Sequence, residues 1–148
     1  MQKTILYLGI NNWNDIKQRP QYLAEELSRN NKILYVNPGE SLLHWVSLLS
    51  RKKRSFHSSL WKVSPNLMVF KASPFFLSRK MYDVNCLAYF YNLFLGLRLR
   101  KVMRILGWDR VEVMWLSYPN QLFLTNLIPH KKLCYDIMDD YPYFRKIR

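Results

Sequence analysis

Cysteine is scarce in this sequence, and the placement of the two that occur argues against a disulfide framework or a metal site. Cys86 and Cys134 lie inside apolar stretches, without CxxC or histidine-rich spacing. Buried free thiols are therefore expected, which suits a reducing cytosol. His44, His57 and His130 have no carboxylate or cysteine at ligand spacing. We interpret them as surface or core histidines and expect no metal.

Acidic residues are also few, because 10 Asp and Glu stand against 23 Lys and Arg and leave a formal net charge of +13. This balance favours an anionic partner, which is a membrane surface, a phosphorylated substrate or nucleic acid. The basic residues are scattered over several predicted elements and follow no recognised nucleic-acid-binding motif. A nucleic-acid-binding module is therefore the least favoured of the three.

A long hydrophobic run is absent. The longest apolar stretch, Val84 to Leu97, contains Asn85 and Asn92 and is followed by Arg98. It falls short of the roughly 20 residues that a membrane-spanning helix needs. The first residues lead directly into a predicted strand and lack the regions of a secretory signal. We therefore expect neither export nor a membrane span.

What is present is enough apolar material for one sizeable core. The 148 residues are 49% hydrophobic and 16% aromatic, which fits a single domain. No repeat or low-complexity segment interrupts the alternation of predicted strands and helices. This alternation predicts an α/β protein, a Rossmann-like three-layer α/β/α domain with a mostly parallel sheet.

The chain is organised around residues 4–37, which are predicted to form one βαβ unit. Apolar runs without alternation at 4–10 and 32–36 indicate parallel strands that are buried on both faces. Between them, Pro20 suits the first turn of a helix. In such a sheet the ligand crevice lies outside the carboxyl ends of the strands. Functional residues are therefore expected in the turns that follow the strands.

The first of these turns lacks a dinucleotide-binding signature. Gly9 is not part of a GxGxxG motif, and no acidic residue follows the second strand at the spacing of a nicotinamide-binding site. Dinucleotide binding is therefore not expected. The plain interpretation of the turn is a polar loop anchored by Trp13, and it stays open beside a functional one.

The middle of the sequence contains its densest basic segment. A short amphipathic helix over 41–49 leads into Arg51 to Arg54, and two strand segments around a hairpin-like turn at 64–66 follow. A long helix is predicted over 79–106, with Gly107 as its stop. Its basic residues and the 51–54 segment are either solvated surface or, beside aromatic side chains, a contact with anionic lipid.

The last third continues the alternation. A strand is predicted over 111–116, a short helix over 121–128 and a strand over 132–138. The ends of these strands gather three acidic residues: Asp136, Asp139 and Asp140.

Several short motifs, spread in order along nearly the whole chain, resemble one family. In chain order they are Trp13, RPQ at 19–21 in the first helix, LYVNP at 34–38 where the second strand ends, WLSYP at 115–119 where the 111–116 strand ends, and YDIMDD at 135–140. Together they resemble the amino-terminal half of a GT-B glycosyltransferase. The likeness is greatest to bacterial cell-surface polysaccharide enzymes of the teichuronic-acid and capsule type.

The resemblance implies that residues 1–148 are the N-terminal, acceptor-side domain of a two-domain enzyme. A C-terminal domain, absent from this sequence, would bind most of the nucleotide-sugar. The whole enzyme would move a sugar to a cell-surface polysaccharide or a lipid-linked acceptor, without a metal or other cofactor. The domain alone is expected to be inactive, and its expected location is cytoplasmic or peripheral on the inner face of the cell membrane.

The resemblance also implies roles for individual residues. Asp139 and Asp140 would orient or deprotonate an acceptor hydroxyl. Four residues would bind the donor phosphates through close backbone approach or positive charge: Gly9, Asn11, Asn12 and Arg19. Three residues would contact the acceptor: Trp13, Tyr118 and Asn120. A helix N-cap role for the aspartates, a surface role for Arg19, and a non-catalytic anion-binding or regulatory domain are alternatives that stay open.

Overall fold

The computed structural model describes residues 2–38, 60–71 and 85–137, which form one six-stranded sheet with helices on both faces. The strands are β1 (Thr4–Leu8), β2 (Lys32–Asn37), β3 (Leu60–Ser64), β4 (Leu67–Lys71), β5 (Val111–Leu116) and β6 (His130–Tyr135). The helices are α1 (Arg19–Ser28), α2 (Asn85–Ile105) and the 3₁₀ helix Pro119–Asn126.

The sheet has the strand order β3-β4-β2-β1-β5-β6. All neighbouring strands run parallel except β3, which forms the predicted hairpin with β4. β1, α1 and β2 form the predicted βαβ unit, in which the two strands are neighbours. The α/β, Rossmann-like class with a mostly parallel sheet is therefore confirmed.

Each face of the sheet buries its own core, because side chains alternate along every strand. The face that α2 covers, called the α2 face, contributes mainly aliphatic strand residues: Leu6, Leu8, Leu34, Val36, Met114 and Leu116, with Phe70. The face that α1 covers, called the α1 face, is rich in aromatic side chains: Tyr7, Trp13 and Tyr35 are buried, and Trp61 and Trp115 pack against them.

The ends of the helices follow local signals. α1 begins at Arg19 with Pro20 in its first turn, where a missing N–H leaves no bond unmade. The Asn31 side-chain amide donates to the Leu27 carbonyl at 2.9 Å, which satisfies an acceptor at the end of this helix. Gly107 has a φ of 71°, so it ends α2 in the left-handed conformation that glycine adopts without strain.

The strand predicted over 132–138 has different bounds in the structure. β6 begins at His130 and ends at Tyr135. Its pairing partner sets both limits, because the register with β5 starts opposite Val111 and stops opposite Leu116.

The helix predicted over 121–128 is a 3₁₀ helix that begins at Pro119. Proline suits the first turn of a helix, so this helix starts at Pro119, two residues earlier than predicted. Several predicted features lie outside the described residues: the helix over 41–49, the basic segment 51–54, residues 79–84 of the long helix, and the acidic pair at 139–140.

Candidate functional site

The carboxyl edge of the sheet brings together the residues that follow β1, β5 and β6. The Gly9 amide donates to the Val36 carbonyl at 3.1 Å, and the Asp136 amide donates to the Leu116 carbonyl at 2.8 Å. The parallel pairing therefore continues one residue past the strands. It aligns one row of residues on the α1 face: Asn37, Gly9, Ser117 and Asp136.

A row of stacked aromatic rings lies one pleat behind this edge. Tyr35, Tyr7 and Trp115 are register partners on three neighbouring strands. The Tyr7 ring centroid lies 5.4 Å from that of Tyr35 and 5.5 Å from that of Trp115. Trp13, predicted to contact an acceptor, approaches Tyr35 edge-on at 4.9 Å and is only 9% exposed. Its backbone amide donates to Asn37 Oδ1 at 2.8 Å, so Trp13 anchors its loop.

Four buried polar atoms in this region have no hydrogen-bond partner within the part of the chain that the structure describes. They are Tyr7 Oη, Trp115 Nε1, Ser117 Oγ and Asp136 Oδ2, and we call them the polar cluster. Leaving one buried polar group unpartnered costs about 1–3 kcal/mol. Native proteins seldom keep such groups without an ordered water, an ion or a ligand nearby. The cluster is therefore the strongest structural indication of a binding site.

Two other members of the cluster, Ser117 and Asp136, influence the ionisation of Tyr7. Burial raises the pKa of Tyr7 to about 12, and the Ser117 hydroxyl beside it offsets part of this rise. The Asp136 carboxylate adds to the rise in the Tyr7 pKa, and the Arg19 guanidinium opposes it. The Tyr7 phenol is consequently neutral at physiological pH and able both to donate and to accept a hydrogen bond.

An ion pair closes the cluster on the side of α1. Arg19 Nη2 lies 2.9 Å from Asp136 Oδ1, and the Arg19 side chain is 56% exposed whereas that of Asp136 is 8% exposed. Arg19 was predicted to bind phosphate, and in the structure it is the first residue of α1 and neutralises a carboxylate. Asp136, noted in the sequence only as part of an acidic group, is the described carboxylate of this site.

The loop after β1 uses its polar groups internally. Tyr35 Oη donates to the Asn11 carbonyl at 2.9 Å, and a Cβ at Gly9 would lie 2.2 Å from that phenol. The missing side chain of Gly9 thus makes room for Tyr35. The Asn11 side chain donates to Gln18 Oε1 at 2.7 Å, and the Asn12 carbonyl accepts a bond from Gln21. In the predicted phosphate-binding loop, the Gly9 amide and these groups of both asparagines therefore already have partners.

Two glutamines organise the loops after β1 and β5 in the same manner. Gln21 Oε1 accepts the Gln18 amide at 3.0 Å, and its amide nitrogen donates back to the first loop. Gln121 Oε1 accepts the amides of Ser117 and Tyr118 at 2.9 and 3.0 Å, and its amide nitrogen donates to the Leu8 carbonyl at 3.2 Å. Both are the third residue of a helix that has proline in its first turn, a signal that was readable in the sequence.

The remaining predicted site residues are placed less centrally. Tyr118 and Asn120 are half-buried at the start of the 3₁₀ helix, on the same edge. Asp139 and Asp140 lie outside the described residues. An open depression of about 510 Å³ borders the first loop, and Asp15 is the one charged residue in its lining, which otherwise consists of Asn11, Asn14, Ile16 and Gln18. No group of three or more potential metal ligands occurs among the residues that the structure describes.

Tyr7, Trp115 and Ser117 were not predicted as site residues. Tyrosine and tryptophan in the middle of apolar strands read as core, and only the register reveals that Tyr7 and Trp115 are neighbours on one face of the sheet and that both keep a buried polar atom. Together with Asp136 the cluster offers hydroxyl, indole N–H and carboxylate groups, while Arg19 offers positive charge. Such a set can orient a hydroxyl group next to an anion.

Comparison with known proteins adds no relative to this description. No protein-family model matches the chain, and no curated protein and no solved structure matches it significantly.

Proposed function

We propose that this chain is the N-terminal, acceptor-side domain of a GT-B glycosyltransferase, which moves a sugar from a nucleotide-sugar to a cell-surface polysaccharide or a lipid-linked acceptor. The observation that carries the proposal is the contact of Arg19 with Asp136, 2.9 Å apart, at the carboxyl edge of a parallel sheet. This edge is where α/β domains bind their ligands.

The two side chains supply the two kinds of group that sugar transfer needs. The leaving diphosphate requires positive charge, and the part of the Arg19 guanidinium that its contact with Asp136 leaves exposed would contribute to it at the first residue of α1, where the helix dipole adds to it. The acceptor hydroxyl requires a group that orients it or takes its proton, and Asp136 is the described carboxylate there. Asp139 and Asp140 stay predicted for the same task.

The first test separates the domain from the whole enzyme. The purified 148-residue chain is expected to fold but to release no nucleoside diphosphate from nucleotide-sugars. The same chain extended by the coding sequence downstream of it is expected to release nucleoside diphosphate when a bacterial envelope extract supplies acceptors. Turnover by the short chain would contradict the domain assignment. Nucleotide-sugar binding by the extended chain without any transfer would favour the regulatory alternative.

The second test compares carboxylates within the extended chain. Asp136→Asn, Asp139→Asn and Asp140→Asn are measured against Asp109→Asn, which changes an exposed aspartate in the turn before β5. Loss of the carboxylate that serves the acceptor is expected to lower turnover by about 10²–10⁴-fold. If only the melting temperature falls, and turnover is retained in all three, the aspartates are structural.

A location at the membrane surface is part of the proposal and is supported by α2. One exposed side of this helix has four large apolar side chains between residues 89 and 97: Tyr89, Phe90, Phe94 and Leu97. The same side continues with Arg100, Lys101 and Arg104, at helical spacing. Among the described residues, no helix is long and apolar enough to cross a bilayer. The side of α2 would instead lie in an anionic interface, where each basic residue contributes about 1 kcal/mol.

Vesicle sedimentation tests this location. The chain is expected to sediment with vesicles that contain phosphatidylglycerol and not with pure phosphatidylcholine at low salt. Arg100→Gln/Arg104→Gln should weaken the binding more than Lys17→Gln/Arg29→Gln, which removes equal charge on the α1 side. Equal sedimentation with both kinds of vesicle, or equal effects of the two double variants, would contradict it.

A further inference from the structure

The polar cluster is a feature that the contact of Arg19 with Asp136 does not by itself explain. Tyr7 and Ser117 are fully buried and Asp136 is 8% exposed, yet each has a polar atom without a hydrogen-bond partner among the residues that the structure describes. Trp115 adds an indole N–H, and its ring stacks on Tyr7 at 5.5 Å. These atoms belong to three neighbouring strand ends of one sheet face. Their occurrence together on one face of the sheet indicates a place where the polar groups of another molecule could serve as their partners.

The chemistry of the cluster selects the kind of ligand. Two hydroxyls both donate and accept, the indole only donates, and the carboxylate only accepts. The single negative charge of Asp136 is already balanced by Arg19. An anionic ligand placed among these atoms would be repelled by the Asp136 carboxylate, and no further cation of the cluster would offset the repulsion. Adjacent hydroxyl groups of a neutral molecule, by contrast, could accept from the donors and donate to the acceptors.

Access to the cluster passes Arg19. Its side chain is 56% exposed and belongs to the first residue of a helix, while the carboxylate beneath it is almost covered. A long, exposed arginine side chain can change rotamer without disturbing the core. Its movement would uncover Asp136.

We propose that the polar cluster is a binding site for a neutral ligand with adjacent hydroxyl groups, a pyranoside, and that Arg19 is its movable cover. Tyr7, Ser117 and Asp136 hydrogen-bond the hydroxyl groups, and Trp115 donates its indole N–H to a ring or hydroxyl oxygen. That this pyranoside is the sugar acceptor rests on the proposed function, whereas the binding itself does not.

The test uses the ¹⁵N-labelled 148-residue chain and the methyl α-pyranosides of glucose, galactose and mannose. At least one is expected to shift the indole resonance of Trp115 saturably, with the resonance assigned by its loss in Trp115→Phe. Ser117→Ala and Asp136→Asn should weaken this binding at least tenfold. Asp109→Asn, at an exposed turn, is the matched control and should leave it unchanged.

A second readout distinguishes a ligand site from a structural water site. Tyr7→Phe and Ser117→Ala each remove an unpartnered polar atom, so without sugar their melting temperatures should equal or exceed that of the wild type. Lower melting temperatures in both variants would show that the atoms are hydrated and structural, and would overturn the proposal. So would the absence of any pyranoside effect, or a Trp115 shift caused by inorganic phosphate alone.

The outcome is separable from that of the proposed function. If the 148-residue chain binds a pyranoside but its extended form transfers no sugar, the binding site is supported and the transferase proposal is contradicted. Unchanged transfer by extended Ser117→Ala and Tyr7→Phe variants would show that the bound pyranoside is not the acceptor, while the transferase proposal would stand.

Discussion

The two faces of the sheet are built from the same strands but differ in the chemistry of their buried side chains. On the α2 face, strand residues such as Leu6, Leu34 and Met114 are fully buried and carry no hydrogen-bonding side-chain group. On the α1 face, Tyr7 and Tyr35 occupy the alternate positions of the same strands and end in hydroxyl groups. An apolar face maximises the free energy gained from burial.

The α1 face gives up part of that free energy. Tyr7 Oη and Trp115 Nε1 are buried and find no hydrogen-bond partner in the described part of the chain, whereas Tyr35 Oη donates to the Asn11 carbonyl at 2.9 Å. Proteins keep costly arrangements of this kind mainly at functional sites. The comparison teaches that the α2 face holds the domain together and that the α1 face, near the carboxyl edge, is where a ligand is expected.

The largest expected effect sharpens the role of the α2 face. Leu34→Ala removes a fully buried side chain from the middle of the sheet and should lower the free energy of unfolding by about 2–5 kcal/mol. Leu34→Met, which conserves volume, should cost less than about 1.5 kcal/mol. Urea unfolding followed by circular dichroism measures both. Equal, small losses would mean that this face is loosely packed.

A smaller loss of unfolding free energy is expected when Gly9, on the α1 face, is replaced by alanine, and Gly96, on the α2 side, provides the comparison. In Gly9→Ala the new Cβ would lie 2.2 Å from Tyr35 Cζ, and that ring is held between Tyr7 and Trp13. The loss in unfolding free energy should be about 1–3 kcal/mol. In Gly96→Ala the first contact is the flexible end of Leu127 at 2.7 Å, and alanine favours the helix by about 1 kcal/mol.

Gly96→Ala should therefore remain close to the wild type. Tyr35→Leu combined with Gly9→Ala should lose less than the sum of the two single losses, because the clash disappears with the ring. Strict additivity would show that Gly9 is required for another reason, such as the close approach of a ligand.

The smallest effect concerns pH and is absent under physiological conditions. Burial raises the pKa of Tyr7 to about 12, so folding favours the neutral phenol. Its contribution to stability is complete below the ordinary tyrosine pKa of about 10 and is lost as the pH rises towards 12. Above pH 10 the wild type should therefore lose unfolding free energy relative to Tyr7→Phe, which has no phenol to ionise. Tyr22→Phe, at an exposed tyrosine, is the control, and a constant difference for Tyr7→Phe would contradict the burial of its hydroxyl.

Sequence reasoning anticipated the fold better than the site. Apolar runs without alternation at β1 and β2, Pro20 at the start of α1 and Gly107 after α2 all produce their structures locally. The start of β6 was misplaced, because that strand begins where β5 offers it a partner and the apolar pattern there is weak.

The site was anticipated only in its general position. Arg19 was predicted to bind phosphate at this edge; it lies there, but the partner that it contacts in the structure, Asp136, is 117 residues away in the sequence. Trp13 was offered as an acceptor contact, and its ring is committed to Tyr35. No spacing rule connects such distant residues, since strand order and register bring them together.

The amino-acid sequence by itself determined the class of this protein, the alternation of strands and helices, and the edge at which a ligand is expected, because periodicity, turn residues and chain direction are local properties. Only the tertiary structure decided which side chains meet at that edge. Tyr7, Trp115, Ser117 and Asp136 come from three strand ends, and their polar atoms become neighbours through parallel register across β1, β5 and β6. Their lack of partners is likewise a tertiary property, since it depends on what the rest of the fold places around them.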